Sequence, residues 1–270
     1  MAITFQLFMF CASFAASAGS VFIPGVVDRL VPLPDGLAFR DVLRGLFLTP
    51  AAVLASFWLL TSLIGPGKPL RSSFALLALF VLAQSIALQG QGIHLASNSI
   101  HSHVNPGNEL PSNASRFARL LYFFDEHLGH HVWFCGLCSG WLVLLLAERR
   151  AGGAAPHAAG FVEVLCVCVL GAIHGVGWFA VGVEGQASLT VTLPFSVIAL
   201  LGTGERWMRG QRCGSVELYF AVCALVCVSA TVAWGSTFGW HMPEFRVLGL
   251  GPFSTWPGQA IGALKLRAAA

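Results

Sequence analysis

The feature that most constrains this chain is a cluster of ionisable side chains inside a long apolar stretch. Five such residues fall within seven positions: Asp125, Glu126, His127, His130 and His131. The surrounding stretch, residues 118–147, is otherwise strongly apolar and long enough to cross a bilayer. Ionisable groups are costly in hydrocarbon, so a cluster of them there indicates a functional site. On a helix, one face of this cluster can line a site while another meets a neighbouring helix.

The composition is that of a membrane protein along the whole chain. Of its 270 residues, 56% are hydrophobic and only 10% are charged, against about 25% charged in soluble domains. A span needs about 20 mostly apolar residues. Seven segments qualify: about 4–27, 42–64, 73–101, 118–147, 158–183, 187–204 and 216–240. We therefore predict an all-α, polytopic membrane protein: a single transmembrane domain, a seven-transmembrane-helix bundle, with an irregular tail at 241–270.

The first segment has no Lys or Arg before its apolar run, so we interpret it as a membrane helix rather than a signal peptide.

With seven spans, the first, third and fifth loops and the C-terminus share one side, which we name side A. The other side is side B. Side A holds eight Lys and Arg residues and side B holds seven, so the positive-inside rule does not orient the chain. Asn113 begins a glycosylation sequon in a side A loop.

Two Gly-x-x-x-Gly pairs, Gly136 with Gly140 and Gly171 with Gly175, predict places where helices pack closely. Cys135 and Cys138 flank Gly136 in a Cys-x-x-Cys sequence. Because this sequence lies within an apolar helix, we interpret its small residues as packing residues rather than as metal ligands or a redox pair.

Eight of the nine histidines map to the side A half of the predicted bundle. Helix three ends there, helix four begins there with the ionisable cluster, and helix five returns there with His174. A polar stripe on helix three consists of Gln84, Gln91, His94, Asn98 and His101. Scattered histidines would divide between the two sides, so we predict a shared site.

Imidazoles with a carboxylate are the ligands that zinc and iron prefer in proteins. We predict a transition-metal site, with zinc the first choice and iron the alternative. One ligand would come from each of three helices: His94, His130 and His174. Further candidate ligands are His101, His127 and His131. A zinc ion held by three such ligands keeps one position for a reactive water.

Four more residues are candidates for the chemistry. Glu126 would be a ligand or the general base, and Asp125 would hold a ligand imidazole in its tautomer. Ser97 and Asn98 would hydrogen-bond an oxyanion. We therefore predict a membrane-embedded, metal-dependent hydrolase acting on a lipid or other apolar substrate, with nucleic acid excluded as a partner.

Ser97 and His101 have a Ser-x-x-x-His spacing, the next helix carries Asp125, and further histidines follow. This pattern resembles that of the alkaline ceramidase and adiponectin-receptor superfamily. Members of that superfamily are seven-helix membrane metal hydrolases, so the resemblance implies metal-dependent hydrolysis. Their last helix carries a His-x-x-x-His, whereas the later histidines here are His174 and His241.

His127, His130 and His131 are also similar to the His-x-x-His-His box of desaturases, hydroxylases and fatty-acid elongases. That resemblance implies di-iron oxidation of a lipid as the alternative activity. A third alternative is a transporter or a haem-binding protein, because paired histidines ligate haem and intramembrane carboxylates mark ion paths.

Overall fold

The computed structural model describes residues 2–22, 39–65, 70–104, 114–151, 160–211, 213–245 and 248. Within these ranges the chain forms seven helices, α1 to α7, and no strand. Their bounds are Ala2–Phe22 (α1), Phe39–Leu43 continuing through Arg44–Leu48 to Thr49–Ile64 (α2), Leu70–Val104 (α3), Arg116–Arg150 (α4), Phe161–Glu184 (α5), Ser188–Met208 (α6) and Ser215–Phe238 (α7).

The all-helical, multi-pass class predicted from the sequence agrees with this structure. By length and composition, six of the described helices, α2 to α7, can cross a membrane. The apolar part found in α1, Ile3–Ala16, is shorter than a span, so the count of seven spans stays a prediction. The Asn113 sequon and most of the predicted tail lie outside the described residues.

The two longest helices, α3 and α4, pack along each other through small residues. Gly90 of α3 lies against the backbone of Trp133, and Gly136 of α4 lies against the backbone of Ala87. A Cβ on either glycine would overlap the partner helix. Close approach through glycine is how membrane helices gain van der Waals contact without a hydrophobic driving force. The contact brings the polar stripe of α3 up to the ionisable cluster of α4.

The pair Gly171 and Gly175 gives α5 a similar contact with α7. Cβ atoms at these positions would lie 2.6 Å from the Tyr219 carbonyl oxygen and 2.5 Å from that of Cys223. The close packing predicted from this glycine spacing is confirmed. Helix α1 packs between α2 and α5, and α6 packs on α7.

Three helices widen into π-helical turns near their N-terminal ends: Arg44–Leu48 in α2, Phe123–Gly129 in α4 and Ser188–Thr192 in α6. A π-turn re-aims the side chains around it and often marks a functional site. All three turns lie at the side A end of the bundle. There Gly45 approaches Leu95, and His131 is hydrogen-bonded with Thr190.

At the opposite end, a buried ionic network joins α4, α6 and α7. Glu148 accepts hydrogen bonds from the backbone N–H groups of Val216 and Glu217, at 3.0 and 2.7 Å. The Glu217 carboxylate in turn binds Arg149 at 2.7 Å and Arg206 at 3.2 Å. Buried charges are tolerated when they are paired in this way.

Candidate functional site

The polar stripe of α3 and the acidic turn of α4 meet at Asp125. Its Oδ1 lies 2.9 Å from His94 Nδ1, and its Oδ2 lies 3.3 Å from His101 Nδ1. The side chains of Asp125 and His101 are 1% and 0% exposed, whereas that of His94 is 12% exposed. One buried carboxylate therefore holds two imidazoles, and of these only His94 reaches an accessible surface.

Local structure explains why these groups meet. His94 and His101 are seven positions apart on α3, so they share a face of the helix. On α4, Gly129 lies directly against His94 and lets the two backbones approach. The π-turn that ends at Gly129 contains Asp125, so the carboxylate is aimed at the facing stripe of α3.

His130 follows the π-turn and lies beside His94, with the ring centroids 4.2 Å apart. Its Nδ1 is 3.0 Å from the backbone oxygen of Glu126, whose carboxylate Oε2 is 4.0 Å away. Trp133 stacks 6.2 Å from His94, and Phe134 stacks 5.8 Å from His130. The two histidines thus form part of an aromatic stack with a carboxylate nearby.

The hydrogen bonds assign one tautomer to His94, His101 and His130. The Nδ1 of His94 is hydrogen-bonded to the backbone oxygen of Asp125 at 3.4 Å, that of His101 to Asp125 Oδ2, and that of His130 to the backbone oxygen of Glu126. An ionised carboxylate and a carbonyl oxygen only accept hydrogen bonds, so each Nδ1 carries the proton. In the neutral ring, Nε2 then keeps a lone pair, the form that acts as a base or a metal ligand.

These Nε2 atoms differ in their surroundings. That of His101 is buried and has no hydrogen-bond partner among the described residues. The rings of His94 and His130 are both partly accessible, with 12% and 10% of their side chains exposed. His94 and His130 are therefore the imidazoles of this group that keep some accessible surface.

The turn between α5 and α6 and the π-turn of α6 form the neighbouring wall. A Cβ on Gly185 would lie 3.1 Å from His130 Cγ and 2.9 Å from Phe134 Cε2. His131 Nδ1 donates to the carbonyl of His127 at 2.7 Å, and its Nε2 accepts from the Thr190 hydroxyl at 2.8 Å. His131 is thus occupied in joining α4 to α6.

Sequence reasoning placed Arg44 only among the charges of a side A loop, whereas the structure places it within helix α2. The residue is buried, in the π-turn of α2. It lies close enough to His130 to interact with it electrostatically. A Cβ on Gly45, the next residue, would lie 3.1 Å from a side-chain carbon of Leu95, which neighbours His94 in the sequence. The signal in the sequence was a lone arginine at the edge of the apolar run 42–64.

His174 does not join this group, which corrects the expected convergence of His94, His130 and His174. It is fully buried, and its Nδ1 is hydrogen-bonded with the Tyr219 hydroxyl. Its ring lies 4.0 Å from Phe14, within an aromatic cluster that also contains Phe10, Trp141 and Phe220. These contacts are with the aromatic cluster and the tyrosine rather than with the Asp125 site, and the buried Nε2 of His174 has no hydrogen-bond partner among the described residues.

The remaining candidates divide between the site and its surroundings. Ser97 is buried and Asn98 half-buried on α3, between His94 and His101. His127 turns away, with its ring against those of Tyr122 and Phe123 at 5.8 and 6.2 Å. It therefore belongs to the packing around α4.

The described residues do not fit the predicted three-histidine zinc centre. Among them, no three His, Cys, Asp or Glu side chains could hold one metal ion. At Asp125 the carboxylate lies between His94 and His101, with one oxygen near the Nδ1 of each ring. A zinc or iron site therefore stays a prediction.

No protein-family model matches the chain, and neither a curated protein nor a solved structure matches it. The function is therefore inferred from the geometry of the site.

Proposed function

We propose that this protein is a membrane-embedded hydrolase in which His94, held by Asp125, is the general base. The observation that supports this role is a buried carboxylate oxygen that lies 2.9 Å from the Nδ1 of a partly accessible imidazole. In hydrolases, a carboxylate on Nδ1 orients the ring and stabilises the imidazolium that forms when Nε2 takes a proton. The membrane location follows from the length and composition of α2 to α7.

In the proposed reaction, water bound at His94 Nε2 gives its proton to the ring while its oxygen attacks an ester or amide carbonyl. The imidazolium then returns that proton to the leaving group as the carbon–heteroatom bond breaks. Arg44 supplies a fixed positive charge near the developing oxyanion, where low dielectric makes such a charge effective. The lone pair of His130 Nε2 accepts a second hydrogen bond from the attacking water.

The proposed substrate is a lipid or another apolar molecule. The site lies at one end of an apolar bundle, and the rings of Trp133 and Phe134 stack on His94 and His130. Such rings suit an acyl chain, with the polar bond placed at His94 and His130.

The test uses purified protein in detergent and p-nitrophenyl esters whose acyl chains run from short to long. We expect measurable hydrolysis, and we expect His94→Ala to lower it by about 10²–10⁴-fold, as loss of a general base does. His157→Ala, on the predicted side B, is the matched histidine control. Equal rates in the two variants would remove His94 from the mechanism.

The same preparation decides the metal question. If the protein contains one zinc ion per chain, and a chelator removes the zinc and the activity together, the predicted metal-dependent hydrolase is supported. Bound iron with oxygen-dependent turnover would support di-iron oxidation, and a Soret band would support haem binding.

A further inference from the structure

The segment Gly239–Phe245, which we name the strap, follows α7 and lies against the turn between α5 and α6. Three hydrogen bonds hold it: Gln186 Nε2 to Glu244 Oε1 at 2.6 Å, the Phe245 amide to Glu184 Oε1 at 3.0 Å, and Trp234 Nε1 to the Pro243 carbonyl at 3.1 Å. The strap is therefore fastened both to α7 and to the turn.

That turn contacts the site through Gly185. Its Cα lies so near His130 that a Cβ would come within 3.1 Å of the imidazole Cγ. His130 is thus confined between its own helix and this turn. A displacement of the turn would free the ring to change its position relative to His94.

The next residue, Gln186, has a φ of 49°, in the left-handed region that side chains other than glycine rarely adopt. Such a conformation persists only when its surroundings hold it. Backbone hydrogen bonds from Gln186 to Val183 and from Ala187 to Gly182, at 3.2 and 2.9 Å, close the turn. The Gln186 side-chain amide then donates to the buried carboxylate of Glu244, which ties the turn to the strap.

We propose that Gln186 and Glu244 are positioning residues for His130. Their hydrogen bond fastens the turn to the strap, and the fastened turn keeps Gly185 against the imidazole. The catalytic consequence rests on the proposed function. The position of His130 itself can be measured without any substrate.

Diethylpyrocarbonate provides that measurement, because it modifies the unprotonated imidazole nitrogen and each modified histidine is identified by mass spectrometry. In Glu244→Ala we expect the rate at His130 to rise about tenfold, since the local opening that exposes the ring becomes more frequent. The rate at His94 should stay near that of the native protein, because Asp125 still holds it. Glu244→Gln, whose amide oxygen still accepts from Gln186, should resemble the native protein.

Glu205→Ala is the matched control, because Glu205 is exposed and its partner Arg209 lies on the same helix. Gln186→Gly is a second test, since glycine suits the φ while the hydrogen bond is lost, and it should also raise the rate at His130. An unchanged His130 rate in either test variant overturns the proposal. An equal rise in the modification rates of His94 and His130 overturns it too, because that pattern indicates a loss of packing throughout the site. Ester hydrolysis is measured separately, so failure of the proposed function is distinguishable from failure of the positioning role.

Discussion

Gly129 of α4 lies so close to His94 of α3 that a Cβ on Gly129 would come within 2.9 Å of His94 Cα. This contact sets the separation of the two helices at the level of the site. Asp125, one turn earlier in the same π segment, reaches His94 and His101 because the backbones are this close. A larger residue at 129 would therefore disturb packing and chemistry together.

Gly129→Val should lower the free energy of unfolding by about 1–3 kcal/mol, the usual cost of overpacking. Denaturant titration in detergent measures it. The matched control is Gly92→Ala, because a Cβ on Gly92 meets nothing within 4 Å. If both variants unfold at the same denaturant concentration, the helix contact at Gly129 is looser than described.

Asp125→Asn should leave the fold in place and lower hydrolysis by about 10⁴-fold, as replacing a carboxylate that holds a catalytic imidazole does. An asparagine amide has one acceptor oxygen for two Nδ1–H groups, so either His94 or His101 must change tautomer. Far-ultraviolet circular dichroism checks the fold, and the ester assay measures the rate. Activity close to that of the native protein would contradict the role given to Asp125.

The helices were predictable because apolar runs of sufficient length, separated by glycine and proline, can be recognised without knowing which helices pack together. The meeting of His94, Asp125 and His130 was also predictable in part. Helices three and four are consecutive, so the end of one and the start of the other lie on the same side. The π-turns were not predictable, since a local widening of the helix has no clear sequence pattern.

His174 shows where sequence reasoning failed. Its depth in the bundle was inferred from topology, but depth does not say which way a side chain points. Its neighbours Phe14, Trp141 and Tyr219 come from three other helices, so their arrangement depends on packing that no local pattern records. Arg44 was missed for the same reason, because its π-turn and its burial arise only in the folded bundle.

Cys213, between α6 and α7, should react slowly with N-ethylmaleimide at neutral pH. Burial, and secondarily the nearby Glu217 carboxylate, raise the pKa of the Cys213 thiol. The thiolate is the nucleophile, so a raised pKa lowers the reactive fraction at every pH below it. The rate should keep rising beyond the pH at which free N-acetylcysteine levels off. A pH midpoint at or below that of N-acetylcysteine would contradict the prediction.

Glu217→Ala should lower the free energy of unfolding by about 3–5 kcal/mol, because removing one member of a buried ion pair leaves the others without compensation. Arg149 and Arg206 would both lose their carboxylate, whereas the bonds from the backbone N–H groups at 216 and 217 to Glu148 would remain. The control is Glu205→Ala, which breaks the pair with Arg209 in which the side chains are 58% and 66% exposed. Exposed pairs contribute only about 0–1 kcal/mol, so this variant should unfold almost as the native protein does. Denaturant titration of both variants measures the difference, and similar losses in the two would show that the Glu217 network is as weak as a surface pair.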